Sequence, residues 1–266
     1  MSEQFQAVSD AFDKKADLYD AFTQLNPHLQ WLRGRVYEHV QSVVPVGAHI
    51  LELNAGTGED AVALIKRGYR IHATDLAPAM IAKITEKQTA LDSTDDLTYQ
   101  QCSFTSLHEV DGVYDAAFSN SGGLNCVPSL KPVAKGLSQK IRVGGTATMV
   151  IMPPFYPYEL ATALKDWRVG TRRFAGERGV ASKVEGVAMT TYYFTPKRVR
   201  QWFGDNWSQV RLQSLNLFSP NADNYTFMQK APRIYRTLKQ MDIRLGDTPP
   251  LNRWGDFFIL TLRRER

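Results

Sequence analysis

Cysteine is nearly missing from this chain. Its 266 residues include two, Cys102 and Cys126, too few for a disulfide framework and too far apart for a metal site. No His-x-x-x-His occurs either. No apolar run approaches the roughly 20 residues that a membrane-spanning helix needs. The longest, around residues 147–152, has the length of a strand. The opening residues Met1-Ser2-Glu3-Gln4-Phe5 do not show a basic segment followed by an apolar one, as a secretory leader would. Five like charges never stand in a row, which argues against a nucleic-acid-binding tail. Internal repeats, low-complexity tracts and flexible linkers are also wanting. These absences lead us to expect a cytoplasmic, soluble monomer or homodimer that binds no metal and no membrane, with nucleic acid disfavoured as a partner.

What is present fits a globular protein. The hydrophobic share of 43% supplies a substantial core, so the length reads as one large domain, or one domain with an appendage. Lys and Arg number 32 against 27 Asp and Glu, a formal net charge of +5. A surplus of this size reads as a solvated surface; an acidic substrate or nucleic acid is the alternative.

The most informative stretch runs from His49 to Asp60. Ile50, Leu51 and Leu53 read as a short buried strand, Ala55, Gly56 and Gly58 follow at once, and residues 61–67 read as a helix. A strand that breaks on glycines into a helix presents unpaired backbone N–H groups at a tight turn. Gly56 and Gly58 lack a Cβ, so a ligand can approach the backbone there. Gly56-Thr57-Gly58-Glu59-Asp60-Ala61 also satisfies the dinucleotide pattern Gly-x-Gly-x-x-Gly/Ala, which alone is weak evidence. Residues 70–75 then read as a second short strand ending in Asp75. An acid at the tip of the second strand suits the two hydroxyls of a ribose, as nicotinamide enzymes and methyltransferases both require.

Glu52-x-Asn54-x-Gly56-x-Gly58, followed by Asp75-Leu76-Ala77-Pro78-Ala79-Met80, resembles the first two motifs of class I S-adenosylmethionine-dependent methyltransferases of the small-molecule type. The acid before the turn and the Asp-x-Ala-Pro-x-Met ending favour that family over nicotinamide oxidoreductases. Asn54 stands where the family usually has glycine; asparagine tolerates left-handed backbone angles. The resemblance covers roughly residues 5–152 and, more loosely, the terminal hairpin. It implies an α/β fold: a Rossmann-like seven-stranded sheet, mostly parallel with an antiparallel last strand. Residues 1–45 would form a helical N-terminal cap and 46–152 the cofactor-binding core. Residues 153–194 would form a substrate lid inserted after the fifth strand, and 195–266 the C-terminal helices and edge strands.

The remaining elements follow from pattern. Residues 2–19 read as a helix with Phe5, Val8 and Phe12 on one face. Asn26-Pro27 starts a second helix that buries Leu29, Leu32, Val36 and Val40 and leaves His28, Arg33 and Arg35 solvated. Further helices are expected over 79–89, 129–141 and 234–245, and from Thr195-Pro196-Lys197 to Trp202. Further strands are expected over 97–101, 113–118, 146–152, 210–218 and 257–263. Between Phe155 and Tyr193 about forty residues intervene where a few would do, a length typical of functional lids; a dimer interface is the alternative. Residues 187–194 alternate like a strand.

Methyl transfer from a sulfonium is an in-line displacement, so alignment and exclusion of water suffice. A general base helps where the nucleophile must lose a proton, and His28, on the cap, is the candidate. The resemblance implies S-adenosyl-L-methionine as cofactor, contacted by Glu52, Asn54, Ala55, Gly56, Gly58, Asp75, Leu76, Met80, Ser103, Phe104 and Ser119. Glu52 would sit near the methionine amino group and Tyr19 would close over the methionine. Cys102 reads as a small buried hydrophobe. The loop at residues 119–125 belongs over the cofactor or substrate, at the carboxyl end of a parallel strand. Candidate substrate contacts are Asn120, Asn125 and the lid aromatics Tyr156, Tyr192 and Tyr193. The expected reaction is methyl transfer to an oxygen, nitrogen or carbon nucleophile of a small aromatic or acidic metabolite. An RNA-modifying enzyme of the same fold and a non-catalytic S-adenosylmethionine-binding protein are the alternatives.

Overall fold

The computed structural model describes residues 25–91, 93–164, 166–184, 187–222 and 224–266. Strands buried on both faces read as continuous apolar runs, as parallel sheets require. Here Ile50, Leu51 and Leu53 of β1 (His49–Leu53) are all at most 1% exposed. Beside it lie β2 (Arg70–Asp75), β3 (Leu97–Gln101), β4 (Tyr114–Ser119) and β5 (Ile141–Ile151). Strands β8 (Trp207–Leu215) and β9 (Phe257–Arg264) complete a seven-stranded sheet of order β3-β2-β1-β4-β5-β9-β8. Pairing is parallel from β3 to β5, and β9 runs antiparallel to both of its neighbours. The Rossmann-like sheet expected from the sequence is therefore present, last strand included. Successive residues of β1 feed opposite cores: Leu51 and Leu53 pack with α4 (Lys131–Lys140) and α7 (Pro196–Phe203), and Ile50 packs with α1 (Pro27–Val43).

Helix α1 starts as its sequence dictates. The Asn26 side chain caps the His28 and Leu29 amides, and Pro27 takes the first helical position. Its apolar stripe of Leu32, Val36 and Val40 is buried. The expectation that His28 and Arg33 are solvated is corrected: they are 1% and 6% exposed. His28 Nδ1 pairs with the Tyr235 hydroxyl at 2.6 Å and Nε2 with Asn216 Oδ1 at 3.1 Å. His39, one stripe along, pairs with Gln213 Oε1 at 3.1 Å and Thr261 Oγ1 at 2.9 Å. Burial pushes both imidazoles down to about 4.

Such a histidine takes up a proton in the unfolded chain below about 6.5, but in the folded protein only near 4. The unfolded state thus binds more protons, and stability is lost as pH falls through that window. His39→Gln is expected to flatten this loss. The stability difference between wild type and variant should shrink by about 2 kcal/mol between pH 7 and 4.5 in urea titrations. A difference constant with pH would clear His39 of the effect.

The segment between β5 and α7 folds as α5 (Pro157–Ala161), α6 (Trp167–Thr171), short 3-10 turns and an antiparallel hairpin of β6 (Val180–Val184) and β7 (Val187–Thr191). An ion cluster anchors it. Arg173 donates from Nε to Glu159 Oε2 at 2.6 Å and from Nη2 to Asp256 Oδ1 at 2.6 Å. Its guanidinium lies 5.0 Å from the Tyr156 ring centroid and 5.4 Å from that of Tyr193. The Tyr156 hydroxyl donates to Ser219 O at 2.6 Å. Helices α2 (Glu59–Ile65), α3 (Pro78–Thr89), α8 (Tyr225–Lys230) and α9 (Pro232–Leu245) complete the fold.

Candidate functional site

The β1–α2 turn is shaped by left-handed backbone at three positions: Asn54 (φ 48°), Gly56 (φ 58°) and Gly58 (φ 79°). Gly58 lies against α3, where a Cβ would come 3.1 Å from Ile84 Cγ1. Its glycine therefore serves packing. Nothing lies within 4 Å of a Cβ built on Gly56, so that backbone is open to a ligand. Asp75, at the tip of β2, braces the turn. Its Oδ2 accepts from Gly56 N at 2.8 Å and its Oδ1 from Ala77 N at 3.0 Å. These two bonds hold the carboxylate where it lines the cavity described next.

A cavity of about 270 Å³ opens at the carboxyl ends of β1, β2 and β4, where open α/β sheets bind their ligands. Asn54, Ala55, Gly56, Asp75, Leu76 and Met80 form one part of its wall. Cys102, Ser103 and Phe104 after β3, and residues 120–123 after β4, form another. Arg33, Glu59 and Asp60 add a charged group, and Asn125, Cys126, Met152, Met189 and Thr191 a mostly uncharged one. Asp60 is the node of the charged group. It accepts from the Tyr37 hydroxyl at 2.5 Å and from Asn120 Nδ2 at 3.0 Å, and Arg33 Nη1 lies 3.4 Å away.

The sequence-predicted residues divide. Asn54, Ala55, Gly56, Asp75, Leu76, Met80, Ser103, Phe104, Asn120 and Asn125 line the cavity. The Asn125 side chain is consumed by backbone, however. It donates to Tyr192 O at 2.6 Å and Met152 O at 3.2 Å and accepts from Met152 N at 2.9 Å. Gly58 and Ser119 stand behind the wall, the Ser119 hydroxyl donating to Asn54 Oδ1 at 2.7 Å. Glu52 also lies behind the turn, 1% exposed, its Oε2 without a hydrogen-bond partner among the described residues. Burial holds its carboxyl well above the usual range; Asp60 and Asp75 add to this and Arg33 opposes it.

His28, expected as a base, is not part of the lining, and both its ring nitrogens are engaged. Tyr156, Tyr192 and Tyr193, expected against the substrate, are not part of it either. Tyr156 and Tyr193 flank Arg173 instead, and Tyr192 packs against the core, as Met189 does. Tyr19 lies outside the described residues. Burial pushes the Cys102 thiol up to about 11 and Cys126 to about 12, so neither is a thiolate nucleophile at neutral pH.

Sequence reading missed Arg33, Glu59, Asp60, Cys126, Met152, Met189 and Thr191. Arg33 and Tyr37 stand four apart on α1, the spacing that brings two side chains to one partner. Met189 and Thr191 stand two apart on β7 and so share a strand face. Among the described residues no cluster of His, Cys, Asp and Glu is fit to hold a metal ion, and no helix is long and apolar enough to cross a membrane.

Residues 50–145 match the family model described as a methyltransferase domain. The ubiquinone/menaquinone biosynthesis C-methyltransferase UbiE of Zymomonas mobilis is 27% identical over 147 residues, 54% of this chain and 58% of that one. A malonyl-acyl-carrier protein O-methyltransferase of Halorhodospira halophila is 25% identical over 212 residues, covering 73% and 68%. The chain thus spans little more than half the length of the first of these relatives. The solved structure of a DhpI–SAH complex superposes with a TM-score of 0.63 at 15% identity, covering 99% of this chain and 98% of that one; at this identity the likeness is one of fold. Over residues 50–145 the chain is thus similar to a methyltransferase domain, on a sheet of the order described above.

Proposed function

We propose that this chain transfers the methyl group of S-adenosyl-L-methionine to an oxygen, nitrogen or carbon atom of a small, flat, largely apolar acceptor. The observation that carries the choice of acceptor is the second part of the cavity wall. Met152, Met189 and Cys126 present soft, polarisable sulfur there, beside Thr191. Thioethers favour aromatic faces, and a close-fitting apolar wall excludes water from the displacement. The nucleophile–carbon bond forms as the carbon–sulfur bond breaks, S-adenosylhomocysteine leaves uncharged, and any acceptor proton passes to solvent.

In this reading Asp75 accepts from both ribose hydroxyls, Ser103 and Phe104 receive the adenine, and Leu76 and Met80 pack on it. Arg33, steadied by Asp60, faces the methionine carboxylate. Residues 1–45 are the cap and residues 153–194 the lid, whose β7 strand contributes the acceptor wall.

A thermal-shift screen and a methyl-label assay test the proposal. S-adenosylmethionine and S-adenosylhomocysteine should raise the melting temperature and NAD and NADP should not. Label from S-adenosylmethionine should appear in a pool of aromatic small molecules. Label recovered in RNA, with retention that falls steeply as salt rises, would replace the acceptor class.

A further inference from the structure

At Asn54 the family pattern has glycine, and the backbone here is left-handed, at φ 48°. Glycine adopts that conformation freely and asparagine does so at some cost. If Asn54 were only tolerated, its side chain would be idle. It is not. Its Oδ1 accepts from Ser119 Oγ at 2.7 Å and its Nδ2 donates to Asn120 O at 3.3 Å. The loop it grips has two further left-handed residues in succession, Ser121 (φ 56°) and Gly122 (φ 68°), and forms part of the cavity wall. Asn120 carries the connection on through its side chain to Asp60.

Gly123 is the counterpart. A Cβ built on it would come 2.3 Å from Asn54 Nδ2, 2.6 Å from Cγ and 3.2 Å from Cβ, so its three nearest atoms all belong to Asn54. Its φ is not in the left-handed region. Gly123 is therefore needed for room and not for backbone freedom, and the room is occupied by one side chain.

We infer that Asn54 is a positioning residue, matched to Gly123, whose side chain fixes the loop after β4 over the glycine-rich turn and so shapes the wall that receives the methyl donor. The inference rests on the reading of that cavity as the S-adenosylmethionine site. Asn54→Gly removes the tether and relieves the left-handed strain together, so the two roles move different observables.

Wild type, Asn54→Gly, Gly123→Ala and the double variant would be compared by melting temperature without ligand and by calorimetric titration with S-adenosylhomocysteine. Asn54→Gly is expected to melt near wild type, because relief of the left-handed backbone offsets the two hydrogen bonds lost from the unliganded fold, yet to bind S-adenosylhomocysteine about tenfold more weakly once the loop is no longer held in place. Gly123→Ala should lower the melting temperature in the wild-type background and leave it unchanged in the Asn54→Gly background. Wild-type affinity in Asn54→Gly would overturn the positioning role. An equal cost of Gly123→Ala in both backgrounds would overturn the match. Wild-type protein that fails to bind S-adenosylhomocysteine would refute the donor reading and the positioning role with it, while the melting cycle, read without ligand, still decides the steric match.

Discussion

Replacing Arg173 by alanine is expected to lower the free energy of unfolding by about 3–5 kcal/mol, the scale for breaking a buried ion pair from one side. Arg173, Glu159 and Asp256 are 6%, 7% and 8% exposed, so the change leaves Asp256 buried without its guanidinium, while Glu159 keeps Arg172, which donates from Nε to its Oε1 at 2.5 Å. Burial disfavours the guanidinium's charge, yet Asp256 and Glu159 outweigh it and hold its pKa above the usual value. Arg173 also donates from Nη1 to the Asp256 carbonyl at 2.9 Å, so one planar group satisfies three acceptors. Arg173→Lys keeps the charge but not the fork and should fall between wild type and alanine. Urea denaturation reads the effect. A loss below about 1 kcal/mol would mean that the carboxylates find other partners or protonate at little cost.

Asp75→Ala is expected to weaken S-adenosylhomocysteine binding by about 2–3 kcal/mol, or some 30- to 150-fold, through the loss of two charge-assisted bonds to the ribose. The same change removes the acceptors of Gly56 N and Ala77 N, so the turn itself loosens and the loss should exceed that of a surface contact. Asp75→Asn retains one acceptor oxygen and should lie between. Calorimetry decides: an unaltered dissociation constant in Asp75→Ala would remove the carboxylate from the site.

The sheet was legible because its strands are buried on both faces and their apolar runs are local. β3 and the start of α1 at Asn26-Pro27 could be set from composition and capping alone. β5 begins earlier than its apolar run, since Ile141 already pairs with Tyr114 ahead of the irregularity near Gly144. The first strand of the hairpin was not foreseen, because Val180-Ala181-Ser182-Lys183-Val184 lacks clean alternation. His28 and Arg33 were misjudged because a helical wheel treats polar residues as outward-facing. Here polar partners wait on the inside, Asn216 and Tyr235 for His28 and Asp60 for Arg33.

The cavity shows the same division. Asn54 and Gly56 belong to one contiguous motif and Asp75 to the next, at the tip of the adjacent strand, so their convergence could be read. Met152, Met189 and Thr191 meet only because β7 folds back onto the turn at residues 123–126, a tertiary event with no local signature. Asn125 reads as a ligand contact from its place in the loop after β4, and it does line the cavity, but the need to satisfy buried backbone at that junction claims its side chain first.

That junction is made almost wholly of main chain. Tyr192 N donates to Asn125 O at 2.8 Å and Phe194 N to Met152 O at 3.1 Å, with the Asn125 amide closing the gap. Because peptide groups are common to every residue type, the side chains at 189 and 191 are free to drift without unfastening the ribbon that bears them. Divergence among descendants of this sequence should accordingly concentrate at those two positions, with new acceptors gained by exchange of single residues while the donor half of the crevice stays as it is.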